Sequence, residues 1–224
     1  MKKKIAIVAM AMAVVFALAA CQSTDVVAKV SVTSFESVVN KLGDKVAADE
    51  QYNAWALTSP AGDRFLYSKD FSGNQDTMIE LDATPFVNAG LDAGKLPSDI
   101  YTFDQASNKL LIKGDLGSNK LDDANSALDT FKQIVKNNRE SIGYHAKLDH
   151  YGIAMGNGNM FEWAKDMSTN DKDIVFVLNP QPFIDAGVDT TKLTDWVFAE
   201  VPVMDENNKE ILVEKFLRPF ELSK

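Results

Sequence analysis

The chain of 224 residues has few of the side chains on which reactive sites depend. It contains one cysteine, Cys21, and two histidines, His145 and His150. A single thiol cannot form a disulfide within the chain, so the folded part must be stabilised by packing. Hydrophobic residues make up 46% of the chain and include 13 Phe, which is sufficient for a core of ordinary size.

Positive charge is also scarce. The chain has 23 Lys and Arg against 32 Asp and Glu, and residues 1–20 contain three of the lysines and no acid. The remainder therefore has 20 basic and 32 acidic residues, a net charge of −12. Nucleic-acid binding needs a concentrated basic face, so no nucleic acid is expected as a partner. The same balance argues against adsorption onto anionic headgroups, and any membrane attachment should be through lipid.

Long apolar segments are absent except at the N-terminus. Three lysines, Lys2–Lys4, precede an apolar run of 16 residues, Ile5–Ala20. This run is shorter than the roughly 20 residues that a spanning helix needs. A basic start, a short apolar region and small residues before a cleavage point are typical of an export signal.

A cysteine follows the small residues of this segment directly, in Leu18-Ala19-Ala20-Cys21. Residues 1–21 resemble the signal peptide and lipobox of bacterial lipoproteins. The resemblance implies that Cys21 is lipidated, becomes the mature N-terminus and anchors the protein on the extracytoplasmic face of a cell membrane. Gln22 stands where an aspartate would retain a Gram-negative lipoprotein at the inner membrane, so the resemblance implies the outer membrane in a cell with two. The alternative is an uncleaved anchor or an ordinary signal peptide with an incidental cysteine.

The rest of the chain contains an internal repeat. The segment Pro85–Leu96 returns as Pro182–Leu193, 97 residues later, and upstream matches such as Phe35 with Phe131 follow at an offset of 96. An ordered series at a nearly constant offset indicates two copies of one module. The predicted organisation is a signal peptide at 1–20, a lipidated N-terminus and tether at 21–31, a first module at 32–117 and a second module at 118–224.

Each copy is predicted to open with a helix. Thr33 and Glu36 fit a capping box in the first copy. Apolar residues then recur at helical spacing. These stripes are Phe35, Val38, Val39, Leu42 and Val46 in the first copy, and Phe131, Ile134, Val135 and Ile142 in the second.

Three strands, a short helix and two strands follow in each copy. The predicted strands are Tyr52–Thr58, Arg64–Ser68, Thr77–Leu81, Ile100–Phe103 and Lys109–Lys113, then Tyr151–Met155, Met160–Ala164, Ile174–Leu178, Trp196–Val203 and Glu210–Lys215. Thr84 is the expected N-cap of the first short helix, and Asn179 is a candidate for the second. Gly90 and Gly187 are expected to end these helices. The order predicts an α+β fold, two tandem helix–three-strand–helix–two-strand modules with mainly antiparallel sheet.

No catalytic residue, metal site or cofactor is predicted. On a helix, His145 and His150 would point about 140° apart, which does not suit a metal pair. Residues 72–76 and 168–173 are rich in oxygen ligands but lack the spacing of an EF-hand, so solvated loops are the preferred interpretation.

The sequence therefore favours a non-enzymatic, lipid-anchored envelope protein. Its expected role is to bind an envelope protein during assembly or a small extracytoplasmic ligand, in a cleft along the contact between the modules. The alternative is an exported hydrolase that uses acidic residues. Two buried carboxylates facing each other in a cleft would favour the hydrolase, whereas a continuous exposed apolar patch would favour the interaction protein.

Overall fold

The computed structural model describes residues 24–70, 76–116, 121, 125–145, 148–167, 173–193, 196–204 and 209–220. These residues form four α-helices and two antiparallel six-stranded sheets, which confirms the α+β class and matches a two-module layout. No helix in this part of the chain is long and apolar enough to cross a membrane.

The first sheet belongs to the first copy, and its strands lie in the order β1-β2-β3-β4-β6-β5. Its elements are α1 (Thr24–Leu42), β1 (Val46–Asp49), β2 (Ala54–Thr58), β3 (Arg64–Ser68), β4 (Thr77–Asp82), α2 (Thr84–Asn88), β5 (Tyr101–Asp104) and β6 (Lys109–Lys113). Short 3-10 helices at Gly43–Lys45 and Ala93–Lys95 follow the two α-helices.

The second sheet repeats this arrangement, in the order β11-β12-β10-β9-β8-β7. Its elements are α3 (Ala127–Asn137), β7 (Ile142–His145), β8 (His150–Ala154), β9 (Met160–Ala164), β10 (Ile174–Leu178), α4 (Gln181–Asp185), β11 (Val197–Met204) and β12 (Glu210–Pro219). Its 3-10 helices are Arg139–Ser141 and Thr190–Lys192.

Each copy has one strand more than predicted, so the helix–three-strand–helix–two-strand order is wrong by one strand. The additional strands, β1 and β7, come directly after the opening helix and its 3-10 turn. Val46 and Ile142 begin these strands and do not continue the helical stripes. Gly43, with φ +53°, lies in the left-handed region and ends the first helix before Val46.

The first helix also begins earlier than predicted. Residues 24–31, expected to be part of a tether, lie in α1, where Val27 and Ala28 are buried in the core. Thr33 is therefore not an N-cap. Its hydroxyl donates a hydrogen bond of 3.5 Å to the carbonyl of Lys29, within the helix. The predicted boundary between the modules lies outside the described residues.

The two short helices end as predicted. Gly90 and Gly187 have φ of +101° and +96°. The amide of the next residue reaches back to a phenylalanine carbonyl, from Leu91 to Phe86 at 2.9 Å in the first copy. The same bond joins Val188 to Phe183 at 3.0 Å, so both ends are Schellman motifs.

The starts of these helices are equivalent to each other and differ from the prediction. Thr84 is the first helical residue and not the N-cap, and its amide donates to the carboxylate of Asp82 at 2.9 Å. Asn179 occupies the position equivalent to Asp82, and its side chain accepts a hydrogen bond of 3.2 Å from the amide of Gln181, the first helical residue. The N-cap of this helix is Pro180, so the predicted N-cap role of Asn179 is wrong as well.

A pseudo-twofold axis relates the two copies. Equivalent phenylalanines stack on each other with centroid separations of 3.6 Å for Phe35 and Phe131, 4.1 Å for Phe65 and Phe161, and 4.6 Å for Phe86 and Phe183. A residue can touch its own equivalent only near the axis that relates them. Backbone hydrogen bonds are reciprocal as well, from Asp92 to Ala186 and from Asp189 to Ala89, both at 2.8 Å.

The opening helix of each copy packs on the sheet of the other. In α1, the hydroxyl of Ser34 donates to the carbonyl of Ala164 in β9 at 2.8 Å. At the equivalent position in α3, Thr130 accepts a hydrogen bond of 2.9 Å from the indole of Trp55 in β2. The largest cluster of buried apolar side chains contains residues of both copies. The two modules therefore share one hydrophobic core.

Candidate functional site

A groove of about 210 Å³ lies between α1 and α3. Its floor is apolar and is formed by Ala28, Val32 and Val135. Four cationic side chains complete the lining, which are those of Lys29, Lys132, Lys136 and Arg139. The groove thus combines apolar contact area with a concentration of positive charge on an acidic protein.

The antiparallel packing of α1 and α3 brings these side chains together. Phe35 and Phe131 stack where the helices cross the pseudo-twofold axis. The groove is lined by residues that precede Phe35 on α1 and by residues that follow Phe131 on or just after α3. The start of α1 therefore lies beside the end of α3, and the groove contains residues of both copies. A cleft along the contact between the modules was the sequence-based expectation.

The ion pair that Lys132 makes with Asp129 neutralises little of the charge of the groove. All four cations are exposed. The ammonium of Lys132 lies 3.6 Å from the carboxylate of Asp129, but both side chains are about half exposed, and such a pair contributes only ~0–1 kcal/mol.

The internal repeat offers a comparison within the chain. At the 96-residue offset, the floor residues Val32 and Val135 correspond to Leu128 and Val39, which are also apolar. The positions equivalent to Lys29, Lys132, Lys136 and Arg139 hold Asn125, Glu36, Asn40 and Gly43. The apolar character is common to both ends of the helix pair, whereas the four cations occur at one end.

The two histidines form part of a second polar cluster. The sequence Ile142-Gly143-Tyr144-His145 is mirrored by His150-Tyr151-Gly152-Ile153, and β7 pairs with β8 so that identical residues face each other. His145 and His150 are therefore cross-strand neighbours, and the expectation that they point apart on a helix is wrong. Both are buried, on the face of the sheet that also carries Glu162 of β9.

Glu162 is fully buried, and each of its oxygens faces one histidine. Nδ1 of His145 lies 3.6 Å from Oε1, and Nδ1 of His150 lies 3.5 Å from Oε2. These separations are longer than a well-formed hydrogen bond, so the contacts are mainly electrostatic. Burial acts to raise the pKa of Glu162, but the two imidazoles outweigh it and hold this pKa below its ordinary value. The cluster stabilises a buried carboxylate inside the sheet.

The described residues include no group of three or more His, Cys, Asp or Glu side chains arranged to hold a metal ion. Most of the two oxygen-rich loops lies outside the described part of the chain. Their last residues, Asp76 and Asp173, are described and buried. Burial, assisted by the charge of Asp115, raises the pKa of Asp76 to about 6, although a hydrogen bond from the amide of Leu116 opposes this shift.

The groove and the histidine–glutamate cluster were both missed from the sequence. For the groove, the available signal was the spacing of Lys132, Lys136 and Arg139, which lie four and three residues apart and so share one helical face. For the cluster, the signals were the mirrored segment and the single charged residue in Met160-Phe161-Glu162-Trp163-Ala164. Cys21 lies outside the described residues, and α1 begins three residues after it.

Comparison with known proteins identifies no relative from which a role can be transferred. The groove between α1 and α3, with four cationic residues around an apolar floor, is the surface whose chemistry points most directly to a ligand. No protein-family model matches the chain, and no curated protein or solved structure shows a significant match to it.

Proposed function

We propose that this protein is a lipid-anchored envelope protein with a non-enzymatic binding role. Cys21, at the end of the lipobox-like segment, is the proposed lipidation site and holds the protein on the extracytoplasmic face of a cell membrane. In a cell with two membranes, Gln22 favours the outer one. The groove between α1 and α3 is the proposed binding surface.

The observation that carries the binding role is the composition of this groove. An apolar floor beneath four exposed cations suits a ligand that has an anionic group and an apolar portion. The β11–β12 hairpin adds exposed apolar residues, which a partner protein could cover: Val197, Phe198, Ile211 and Leu212. Both features favour binding over catalysis.

The anchor can be tested by metabolic labelling with a radioactive fatty acid. Wild-type protein should incorporate the label and fractionate with membranes. The Cys21→Ser variant should remain unlabelled and keep its signal peptide, because the modified thiol is missing. Label in this variant would refute the anchor at Cys21.

The binding surface can be tested with 1-anilinonaphthalene-8-sulfonate, which joins a sulfonate to an aromatic body. The Lys132→Gln/Lys136→Gln variant should bind this probe several-fold more weakly than wild type, because two groove cations are removed. Lys41→Gln/Lys45→Gln is the matched control, since it removes two exposed lysines near the far end of α1. Equal probe affinities for the two variants would exclude the groove as the binding surface.

The alternative function, an exported hydrolase, rests on Asp76. A buried carboxyl group with a pKa of about 6 is suited to act as a general acid near neutral pH. Two other buried acids have cationic partners instead: Asp63 contacts Arg218 at 3.1 Å, and Glu162 contacts the histidines. Hydrolysis of chromogenic esters or glycosides by wild type, abolished in Asp76→Asn, would establish this alternative.

A further inference from the structure

We infer that the far end of the β11–β12 hairpin docks a partner protein, through a segment of the partner in which a basic residue lies between two apolar ones. This end, the hairpin arm, consists of residues 200–204 and 210–214. The inference rests on the proposed binding role and names the partner of a surface that is separate from the groove. Four observations support it: the absence of the arm from the first copy, the exposed apolar residues on its faces, a proline on its open edge, and two acids that face each other.

The arm extends beyond the fold that the two copies share. The last strand pair of the first copy contains Lys109, whose ammonium donates a hydrogen bond of 3.4 Å to the carbonyl of Gly62. Lys215 donates the equivalent bond to Gly158 at 2.8 Å, and it pairs with Ala199. The first copy turns back at this position, whereas the second continues through the five strand pairs of the arm. The arm is therefore not needed to complete the sheet.

The arm lacks the cover that a hairpin ordinarily has. Within the described residues, β12 pairs with β10 only from Phe216 to Pro219, so the arm part of β12 pairs with β11 alone. Leu212 is 53% exposed and Ile211 is 36% exposed, and these neighbours point to opposite faces of the arm. A two-stranded hairpin is only marginally stable in water unless it packs against another element. A bound partner would supply this packing.

The open edge of the arm is unsuited to pairing with another strand. The amide of Phe220 donates to the carbonyl of Ile174 in β10, so the even-numbered residues of β12 direct their backbone groups away from β11. Leu212 and its cross-strand partner Pro202 therefore share no hydrogen bond, and the nitrogen of Pro202 lies on the open edge. Proline has no amide hydrogen to donate, and on an edge strand it hinders the addition of a further strand. The partner is therefore expected to pack on a face of the arm.

One face of the hairpin, the acidic face, combines apolar and acidic side chains. It begins at Phe198, whose ring centroid lies 4.9 Å from that of the buried Phe216, although Phe198 is 41% exposed. Glu200 and Glu214 follow as direct cross-strand partners, and both are exposed. Leu212 comes next on the same face. Successive residues on one face are about 7 Å apart, so the two acids lie between exposed apolar side chains that are about 14 Å apart.

The charge of the acidic face favours a basic partner. Like charges directly opposite each other on paired strands are destabilising, and the described residues provide no ion pair to Glu200 or Glu214. A Lys or Arg side chain of a partner would relieve this repulsion, and its apolar neighbours would contact Phe198 and Leu212. A second copy of the chain does not suit the face, because a twofold contact centred on it would place acids against the same acids. The fitting occupant is a protein segment with the order apolar, basic, apolar.

The experiment measures the binding of two fluorescent peptides to the full chain in nonionic detergent by fluorescence anisotropy. In the basic peptide, every second residue is alternately leucine or lysine, with serine between them, so that leucine and lysine share one face when the peptide is extended. The acidic peptide has glutamate in place of lysine. We expect the basic peptide to bind about tenfold more tightly than the acidic one, and this difference to shrink at high salt.

Two variants test whether the acidic face is the binding surface. Glu200→Gln/Glu214→Gln should weaken binding of the basic peptide several-fold, because the carboxylates that pair with lysine are removed. Leu212→Ser should weaken it about tenfold, because an apolar contact of the docked segment is lost.

Matched controls change similar side chains elsewhere on the surface. Asp44→Asn/Asp99→Asn removes two exposed acids, and Leu148→Ser changes an exposed leucine. Both should bind the basic peptide like wild type. A further variant replaces residues 200–214 by the turn of the first copy, residues 105–108. It should keep the melting midpoint of wild type and lose the peptide, since the first copy closes at this position without an arm.

Three results would overturn the inference: equal affinities for the two peptides, unchanged affinity in both arm variants, or equal losses in the variants and their controls. Loss of cooperative unfolding in the shortened chain would also overturn it, because the arm would then belong to the fold. Self-association that Leu212→Ser abolishes would identify a second copy as the occupant, against the inference. The groove variant Lys132→Gln/Lys136→Gln should bind the basic peptide like wild type, so a failure of the arm is distinguishable from a failure of the groove.

Discussion

Gly90 and Gly187 face each other across the pseudo-twofold axis, and alanine substitutions test how much this contact contributes to stability. A Cβ at Gly90 would lie 3.0 Å from the carbonyl oxygen of Gly187, and a Cβ at Gly187 would lie 3.2 Å from that of Gly90. Both residues also have the positive φ values that alanine adopts with strain. The strain costs about 1 kcal/mol. The close approach adds about 1–2 kcal/mol, because the facing backbone must move against the Asp92–Ala186 hydrogen bond.

Gly62 is the matched control for the backbone strain. Its φ is +90°, but the nearest atom to an added Cβ is the ammonium of Lys109 at 4.0 Å, so Gly62→Ala carries strain without a close contact. Urea denaturation followed by tryptophan fluorescence should give a loss of about 1 kcal/mol for Gly62→Ala and about 2–3 kcal/mol for Gly90→Ala. Equal losses would refute the contribution of the contact. The double variant at Gly90 and Gly187 should lose less than the sum of the single variants, because both disturb one contact.

Three further predictions concern the shared core and the buried acids. The two modules should not unfold cooperatively when they are expressed separately, as residues 29–117 and 118–224, because each fragment lacks the sheet on which its helix packs. Melting midpoints of the fragments equal to that of the intact protein would contradict this dependence. Asp76→Asn should raise the stability at pH 7 by about 3 kcal/mol, since the pKa of this carboxyl rises from 3.8 to about 6 on folding. The folded-state pKa of about 6 exceeds the unfolded value, so wild type should lose stability as pH rises from about 4 through 6, and denaturation midpoints of the variant should show no such decline. Glu162→Gln should lower the stability at pH 7 by about 1–3 kcal/mol. The pKa of Glu162 is lowered on folding, so the stability deficit of the variant should shrink as pH falls below about 4.5. Equal thermal midpoints for wild type and variant at pH 7 would argue against the ion cluster.

Regular periodicity made most of the fold predictable. The strands β3, β9, β10 and β6 have the predicted bounds, because each is an apolar run between residues that favour turns. The Schellman endings were predictable for a similar reason, since the glycine and the apolar residue that follows it are both local signals. The antiparallel sheets then follow from the short connections between strands.

Elements that depend on distant contacts were not predictable. The four-residue strand β1, Val46–Asp49, has no distinctive pattern and is stabilised by its pairing with β2. In sequence, the first turns of α1 resemble a polar tether next to a cleavage site. They are helical because Val27 and Ala28 pack into a core that is built mainly from residues much later in the chain. The groove was missed for the same reason, because the cations of α3 meet Lys29 only through the packing of two helices from different copies.

Because the opening helix of each copy packs on the sheet of the other copy, the first half of the chain cannot finish folding before the second half has been synthesised. The ribosome finishes α1 more than a hundred residues before it makes Ala164, the β9 residue whose carbonyl Ser34 contacts. Until then Phe35 and Val38 have no β9 to cover them, so a growing chain must hold apolar helix surface exposed or shielded by other factors. Folding that depends on contacts this far apart in sequence is slow, since a long loop must close before the contacts stabilise it. Truncation anywhere before β9 therefore leaves an N-terminal half that exposes the apolar face of its first helix, and such products should be removed by proteolysis or aggregate.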